Sequence, residues 1–296
     1  MKKVGIIILN YNNARATIKC VQNVASINYD NYFIVVVDNN STDNSYRMLI
    51  ENLHGETCLI KTKRNGGYAY GNNVGIRNAL DKGCDYVFIL NNDVILEGNT
   101  LKALVDYNNL HPNVGIIGPA LLEFKNKSFV QSTGANNNLL TGNSELLNNG
   151  KSFATLNQTP LHPDYLGGSC ILVRRDAIQR TGLIPENYFL FYEENEWCLN
   201  FKKQGYDVVC LPDIKVYHVG SESINQVSGL SHYYMTRNKI IFEKRNADRH
   251  QFIFFILYTF FRTILRSIKH PKYWKDFSFY FDGLFNRNKY DYLQSK

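Results

Sequence analysis

Residues 91–93 of this chain are Asn91, Asn92 and Asp93, two amides and a carboxylate set directly after the apolar run of residues 87–90. Two other apolar runs end in the same way, one on Asn10 and Tyr11, the other on Asp38, Asn39 and Asn40. Carboxylates and amides at strand ends accept from the donors of a base or ribose, and a ring such as Tyr11 stacks on a base, so a nucleotide suits these residue types. Further on, FLFYEENEW (residues 189–197) sets Glu193, Glu194 and Glu196 behind an aromatic run. One of these carboxylates could serve as a general base in a crevice dried by its aromatic neighbours. His218 closes another apolar run and could ligate a metal. Each feature also has a plainer local explanation: Asn and Asp favour turns, acidic residues favour a first helical turn, and an isolated His is commonly just hydrogen-bonded.

Groups so far apart in the chain need a scaffold that brings them to one place. VGIIILN (4–10), YFIVVVD (32–38) and VFIL (87–90) read as strands buried on both faces, the pattern of parallel sheets covered by helices. Helical spacing at Ala14, Ile18, Val21 and Ala25 predicts a helix over 14–26, and Ser41 or Thr42 can cap another over 45–52. Residues 58–61 offer a short strand, and RNGGYAYGNNVGIRNAL leads through a glycine-rich turn into a helix ending near 81–83. The alternation predicts an α/β fold with a mostly parallel sheet flanked by helices and a ligand crevice beyond the strands' carboxyl ends. The spacing of Gly66, Gly67 and Gly71 matches neither the dinucleotide fingerprint nor the P-loop, which weighs against hydride transfer and ATP hydrolysis.

The middle of the chain is less regular. Residues 114–118 and 120–124 read as two strands separated by Pro119, and 208–212 and 214–218 as two more. Residues 136–150, rich in Asn and Gly, read as a mobile loop near the site or as an exposed excursion. In LGGSCILVRR (166–175) the glycines before a strand fit backbone passing close to a ligand, or a plain bulge.

The chain's 296 residues suffice for one large domain or a domain with an appendage. Its six cysteines form no C-x-x-C pair, which fits a reducing compartment, and the first apolar run is too short for a signal peptide. The formal charge of +7 resides in the tail: the last 60 residues hold 13 Lys and Arg against 5 Asp and Glu. FIFFILYTFF (252–261), followed by Arg262, Arg266 and Lys269, is too short for the roughly 20 residues of a membrane span. It reads first as an interfacial helix on an anionic membrane surface, then as a packing or homodimer face; nucleic acid is not expected as a partner. The division is therefore a catalytic domain over 1–227 and a basic, aromatic, helical extension over 228–296.

LNYN, VVVDNNSTDNS, NGGYAYGNNVGI, ILNND, GGSCILVRR, YEENEWC and HVGSES, in this order, resemble glycosyltransferase family 2, and within it the bacterial rhamnosyltransferase-like enzymes of surface polysaccharide synthesis. The resemblance implies a glycosyltransferase A-type fold, a nucleotide-diphosphate sugar donor, Mg²⁺ or Mn²⁺, and inversion at the anomeric centre. It implies that Asn10, Tyr11, Asp38 and Asn40 form the base and ribose site, and that Asn65, Gly67 and Asn72 line the donor near its diphosphate. Asn92 and Asp93 fall on the family's D-x-D metal motif, of which only the last carboxylate is kept, and His218 matches a histidine that approaches the metal or diphosphate. Glu194 falls on the catalytic Asp, one methylene longer, and Gly168, Glu193 and Trp197 fall beside the acceptor. A saccharide acceptor on a lipid carrier would give the tail its purpose, at the cytoplasmic face of the membrane. A sugar-phosphate nucleotidyltransferase is the rival enzyme, though no basic glycine-rich N-terminal loop is present; a catalytically silent nucleotide-sugar-binding scaffold is the rival of another class.

Overall fold

The structure, a computed structural model, describes residues 1–55, 57–220 and 229–291. The expected boundary at 227/228 and the last three residues of HVGSES lie outside the described residues. The first half alternates as its apolar periodicity predicts: β1 (Val4–Asn10), α1 (Ala14–Val24), β2 (Tyr32–Asp38), α2 (Ser45–Asn52), β3 (Cys58–Lys61), α3 (Gly67–Asp81) and β4 (Tyr86–Asn91). There follow β5 (Val94–Leu96), α4 (Thr100–Leu110), β6 (Val114–Glu123), β7 (Val130–Ser132), β8 (Ala135–Asn138), β9 (Asn143–Leu146), β10 (Cys170–Arg174), α5 (Arg175–Thr181), α6 (Glu193–Lys203) and β11 (Asp207–His218). The tail forms α7 (Leu230–Asn246), α8 (Arg249–Lys269) and α9 (Asp276–Leu284).

The main sheet runs β3-β2-β1-β4-β10-β6-β11-β5, with β7 paired to β6. Its β3-β2-β1-β4 half is parallel. The other half is mixed, because β10 runs antiparallel to both β4 and β6, and β5 antiparallel to β11. One face packs on α1, α2 and α4, the other on α3, α5 and α6. The glycines of α3 set how closely it lies on β1. A Cβ at Gly71 would come within 2.3 Å of Leu9, and one at Gly75 within 2.5 Å of Ile7. Packing against the sheet therefore accounts for Gly71 and Gly75 of the glycine-rich pattern.

Pro119 does not break its strand. β6 runs through it, and the register of its partner β11 shifts between Leu211 and Lys215, opposite that point, so the missing proline N–H falls at an irregularity that holds Pro212 as well. Residues 135–146 form the β8–β9 hairpin instead of a loop: Asn138 starts its turn, the side chain accepting from Leu140 N at 3.0 Å and the carbonyl from Gly142 N at 2.7 Å. The tail is joined to the sheet domain through α7. Asn238 Nδ2 donates to the carbonyls of Tyr188, Leu190 and Phe191 at 2.7–3.1 Å. Arg245 forks onto the buried carboxylate of Glu196 at 2.7 and 2.9 Å. Burial alone would raise the Glu196 carboxyl, but hydrogen bonds from Arg245 and Tyr188 outweigh it and hold the group below its ordinary value. The unfolded chain therefore binds this proton more readily, so the pair stabilises the fold above about pH 4.3 and loses that effect as pH falls through the lower folded value.

α8 is twice as long as the apolar run that signals it, at 21 residues about 31 Å. Asp248 and Gln251 form a capping box at its start, and Phe255, Thr259, Thr263 and Ser267 make its buried stripe. By length and composition it could cross a membrane. Its buried stripe packs on protein, with Arg262 and Arg266 beside it lining a cavity.

Candidate active site

Parallel pairing sets Asn10 level with Asp38 and carries both to the rim where β4 ends at Asn91. A chain of side-chain hydrogen bonds joins the three strand ends. Asn92 Nδ2 donates to Thr17 Oγ1 at 2.9 Å, Thr17 Oγ1 to Asn10 Oδ1 at 2.8 Å, and Asn10 Nδ2 to Asp38 Oδ1 at 2.8 Å. Asp38 also accepts from Ser41 Oγ at 2.6 Å and from Ser41 N at 3.0 Å. Asn10 and Asp38 are fully buried by these partners. They form the floor of the rim. Tyr11 and Asn40 stand half-buried above them, Asn40 at φ +59°.

Asn65, Gly67 and Asn72 are likewise used internally. Asn65 Oδ1 accepts from Asn39 Nδ2 at 3.0 Å and from Gly67 N at 3.1 Å, and Asn72 Nδ2 donates to Tyr68 O at 3.0 Å. Gly67 has φ +82°, and a Cβ there would lie 2.1 Å from Phe189 O. Only glycine lets the start of α3 approach the aromatic loop so closely. These residues hold backbone in place at the start of α3.

Asp93 sits in the turn between β4 and β5. Because β5 runs antiparallel to β11, His218 pairs with Val94, and Val219 N donates to Asp93 O at 2.9 Å. His218 Nε2 thus lies 3.3 Å from Asp93 Oδ2. Neither His218 Nε2 nor the buried Asp93 Oδ1 has a hydrogen-bond partner among the described residues. His218 Nδ1 meets Gln131 Oε1 at 2.9 Å; that oxygen only accepts, so Nδ1 donates to it and Nε2 is the ring atom that faces Asp93. A hard carboxylate oxygen and an imidazole nitrogen, both unspent, suit Mg²⁺ or Mn²⁺. No group of three or more potential ligands occurs among the described residues, so water or a donor's phosphates would complete the shell.

The acidic end lies on the first turn of α6. Phe189, Phe191 and Tyr192 before it hold φ of +73°, +68° and +77°, a run of strained aromatic residues that the surrounding packing must hold. Glu193 is fully buried with both oxygens unpartnered, and burial followed by the charge of Glu194 pushes its carboxyl well up. Burial also raises Glu194, against an opposing pull from hydrogen bonds of its own N–H and that of Gly168. Gly168 O accepts from Tyr68 Oη at 2.6 Å, which ties α3, the glycine turn and α6 into one cluster. Glu196 is spent on Arg245, leaving it no role as a base. Trp197 is a correction: it is buried, donates Nε1 to Gly182 O at 3.0 Å and packs on Phe201, so it belongs to the core and not to an acceptor surface. Glu194 borders a cavity of about 580 Å³ between the β8–β9 turn, α6, α7 and α8.

Residues 5–182 match the family model described as glycosyl transferase family 2. The chain belongs to that family. Among curated proteins, the dTDP-rhamnosyl transferase RfbF of Shigella flexneri is 27% identical over 81% of this chain and 79% of its own length. The N-acetylglucosaminyl-diphospho-decaprenol L-rhamnosyltransferase of Mycobacterium tuberculosis is 27% identical over 62% of this chain and 66% of its own. Among solved structures, a mannosyltransferase of Pyrobaculum calidifontis in complex with GDP-Man and Mn²⁺ superposes at TM-score 0.59 and 15% identity, over 94% of this chain and 74% of that one. TarS residues 1–349 of S. aureus superposes at 0.59 and 17%, over 96% and 79%. The fold is the glycosyltransferase A type. Sequence reasoning about this glycosyltransferase missed Thr17, Ser41, Gln131 and Tyr68. Thr17 follows Asn10 by two helical turns' worth of chain and Ser41 follows Asp38 by three residues, which are local signals; Gln131 and Tyr68 meet their partners only through the fold.

Proposed function

We propose that this family 2 glycosyltransferase inverts the anomeric centre as it moves a sugar from a nucleotide-diphosphate sugar to a saccharide acceptor on a lipid carrier, in bacterial surface polysaccharide synthesis. The observation that carries the reading is the pairing of the Asp93–His218 couple, its Asp93 Oδ1 and His218 Nε2 unpartnered among the described residues, with a raised carboxyl at Glu194 that is held by backbone N–H groups and borders a large cavity. Glu194 takes the proton of the acceptor hydroxyl as that oxygen attacks the anomeric carbon from the face opposite the nucleotide. The carbon–oxygen bond to the diphosphate breaks, and its electron pair leaves with the nucleoside diphosphate. A divalent cation at Asp93 and His218 would supply Lewis-acid stabilisation of that leaving group. Gln131 fixes the His218 tautomer, and Tyr68 holds the Gly168 turn against Glu194. The names of the Shigella and mycobacterial relatives make dTDP-rhamnose the first donor to try and a diphosphate-linked lipid saccharide the first acceptor. The test is nucleoside diphosphate release from UDP-, dTDP- and GDP-sugars, with Mn²⁺ or with EDTA. Release from one donor with Mn²⁺ alone supports the reading; no response to any donor favours a silent scaffold.

Residues 1–227 would be the catalytic domain and 228–296 the extension that holds it at the cytoplasmic face of the membrane. Phe254, Leu257, Phe261, Leu265 and Ile268 stand 49–68% exposed along α8, and the tail around them is basic. Their rings and branched chains would enter the interface while the cations meet anionic headgroups. The protein should float with vesicles containing phosphatidylglycerol, and Leu257→Glu with Phe261→Glu should abolish this. Wild type that elutes as a dimer, with the double variant monomeric, would instead assign the face to a second copy.

A further inference from the structure

The far wall of the cavity that Glu194 borders is cationic. Lys239 from α7 and Arg262 and Arg266 from α8 line it, with Thr259, Thr263 and the β8–β9 turn. Arg266 is answered: it pairs with Asp276, which also meets His232 Nε2 at 2.7 Å. The other two cations are not. Lys239 has no hydrogen-bond or ion-pair partner among the described residues, and Arg262 reaches only neutral oxygens, Asn143 Oδ1 at 3.3 Å and Tyr258 Oη at 3.4 Å. Burial first, then the charges of Arg262 and Arg266, pull the Lys239 ammonium down from its ordinary value. Glu243, one turn along α7, opposes this pull only in part, and burial pushes its own carboxyl up to about 8. The hairpin turn closes over these groups: a Cβ on Gly142 would lie 2.5 Å from the Phe255 ring and 3.1 Å from Lys239 Cδ.

Among the described residues Lys239 has no anion within hydrogen-bond reach and Arg262 beside it meets only neutral oxygens, so this wall of a roomy, half-enclosed cavity presents two cations to an entering anion. The base reading places the acceptor's reactive hydroxyl at the Glu194 end of the same cavity. We infer that Lys239 and Arg262 bind a phosphate ester carried by the acceptor, so that the cavity takes a saccharide phosphate with its sugar toward Glu194 and its phosphate toward α8. This rests on the proposed transfer reaction and goes beyond it by naming the acceptor's charged group. The phosphate belongs either to a lipid diphosphate, whose chain would continue onto the exposed apolar face of α8, or to a polyol phosphate.

The experiment is calorimetric titration of the whole chain with farnesyl diphosphate, farnesol and ribitol 5-phosphate, with Mn²⁺ and a saturating nucleoside diphosphate to keep the donor side filled. Wild type should bind farnesyl diphosphate at least tenfold more tightly than farnesol. Lys239→Met and Arg262→Gln should each weaken farnesyl diphosphate about tenfold and leave farnesol unchanged. Arg262 is exposed, so Arg262→Gln reports on binding even if Lys239→Met folds poorly. Sensitivity of ribitol 5-phosphate alone to both variants would assign the phosphate to a polyol. Diphosphate affinity unmoved by either variant, or no preference over farnesol, overturns the inference. The titration measures binding and needs no turnover, so a failed transfer reaction leaves this measurement intact and the two readings fail separately.

Discussion

Glu194→Gln is expected to lower turnover about 10³-fold while leaving donor affinity within about twofold, the signature of a lost general base. The substitution keeps the shape of the side chain and its contact with the Gly168 turn, and removes only the capacity to take a proton. Glu193 is the control, because two carboxyls side by side in a buried place do not both ionise cheaply. Glu193 is pushed up by burial and again by the charge of Glu194, whereas backbone N–H groups favour the ionised form of Glu194. The pair therefore keeps its shared proton on Glu193, and Glu193→Gln, which resembles that neutral acid, should retain turnover within about tenfold. The pH profile follows in sign. Activity needs the Glu194 carboxylate, whose value is raised, so the acid limb lies above the range of an exposed glutamate and activity falls as pH drops through it. The residual activity of Glu194→Gln should lack that limb. Near-normal turnover in Glu194→Gln together with collapse in Glu193→Gln would exchange the two assignments.

The rim where β1, β2 and β4 end was the most legible region of this chain, because a parallel half-sheet turns three apolar runs with polar ends into one edge, and periodicity alone predicts the runs. What those ends do was less legible. A sequence shows that Asn10 and Asp38 lie together but not that they satisfy each other, and their burial makes them a support for the half-exposed Tyr11 and Asn40. The antiparallel entry of β10 and β5 left no local mark, yet it is β5 pairing that sets Asp93 beside His218. Pro119 and Pro212 misled for a physical reason: a proline breaks a strand only where the ladder needs its N–H, and here the register shift removes that need. The length of α8 was hidden because its second half carries Thr, Arg and Ser, residues that face the cavity and the protein while the apolar stripe continues outside. Trp197 was drawn toward the acceptor by its neighbours in sequence, although on a helix Glu194 and Trp197 differ by three positions and the inward side of that face belongs to the core.

Asp93→Ala should cost about as much as loss of the base, roughly 10³-fold in turnover with Mn²⁺, and its remaining activity should no longer respond to EDTA. The fold should survive, because the sheet uses the Asp93 backbone: Asp93 O accepts from Val219 N whatever the side chain. What would disappear is one of the two proposed protein ligands, and a single imidazole cannot hold Mg²⁺ or Mn²⁺ against water. Asp93→Asn is the sharper test, since it keeps shape and hydrogen-bonding reach while removing the charge. Donor-induced thermal stabilisation should depend on Mn²⁺ in wild type and be small and metal-independent in both variants. That readout needs no acceptor. If Mn²⁺ still enhances donor binding in Asp93→Asn, the cation is held elsewhere. The Asp93–His218 couple, linking β5 to β11 at the edge of the sheet, would then be an ion pair of the fold, and His218→Asn would lower thermal stability without touching metal dependence.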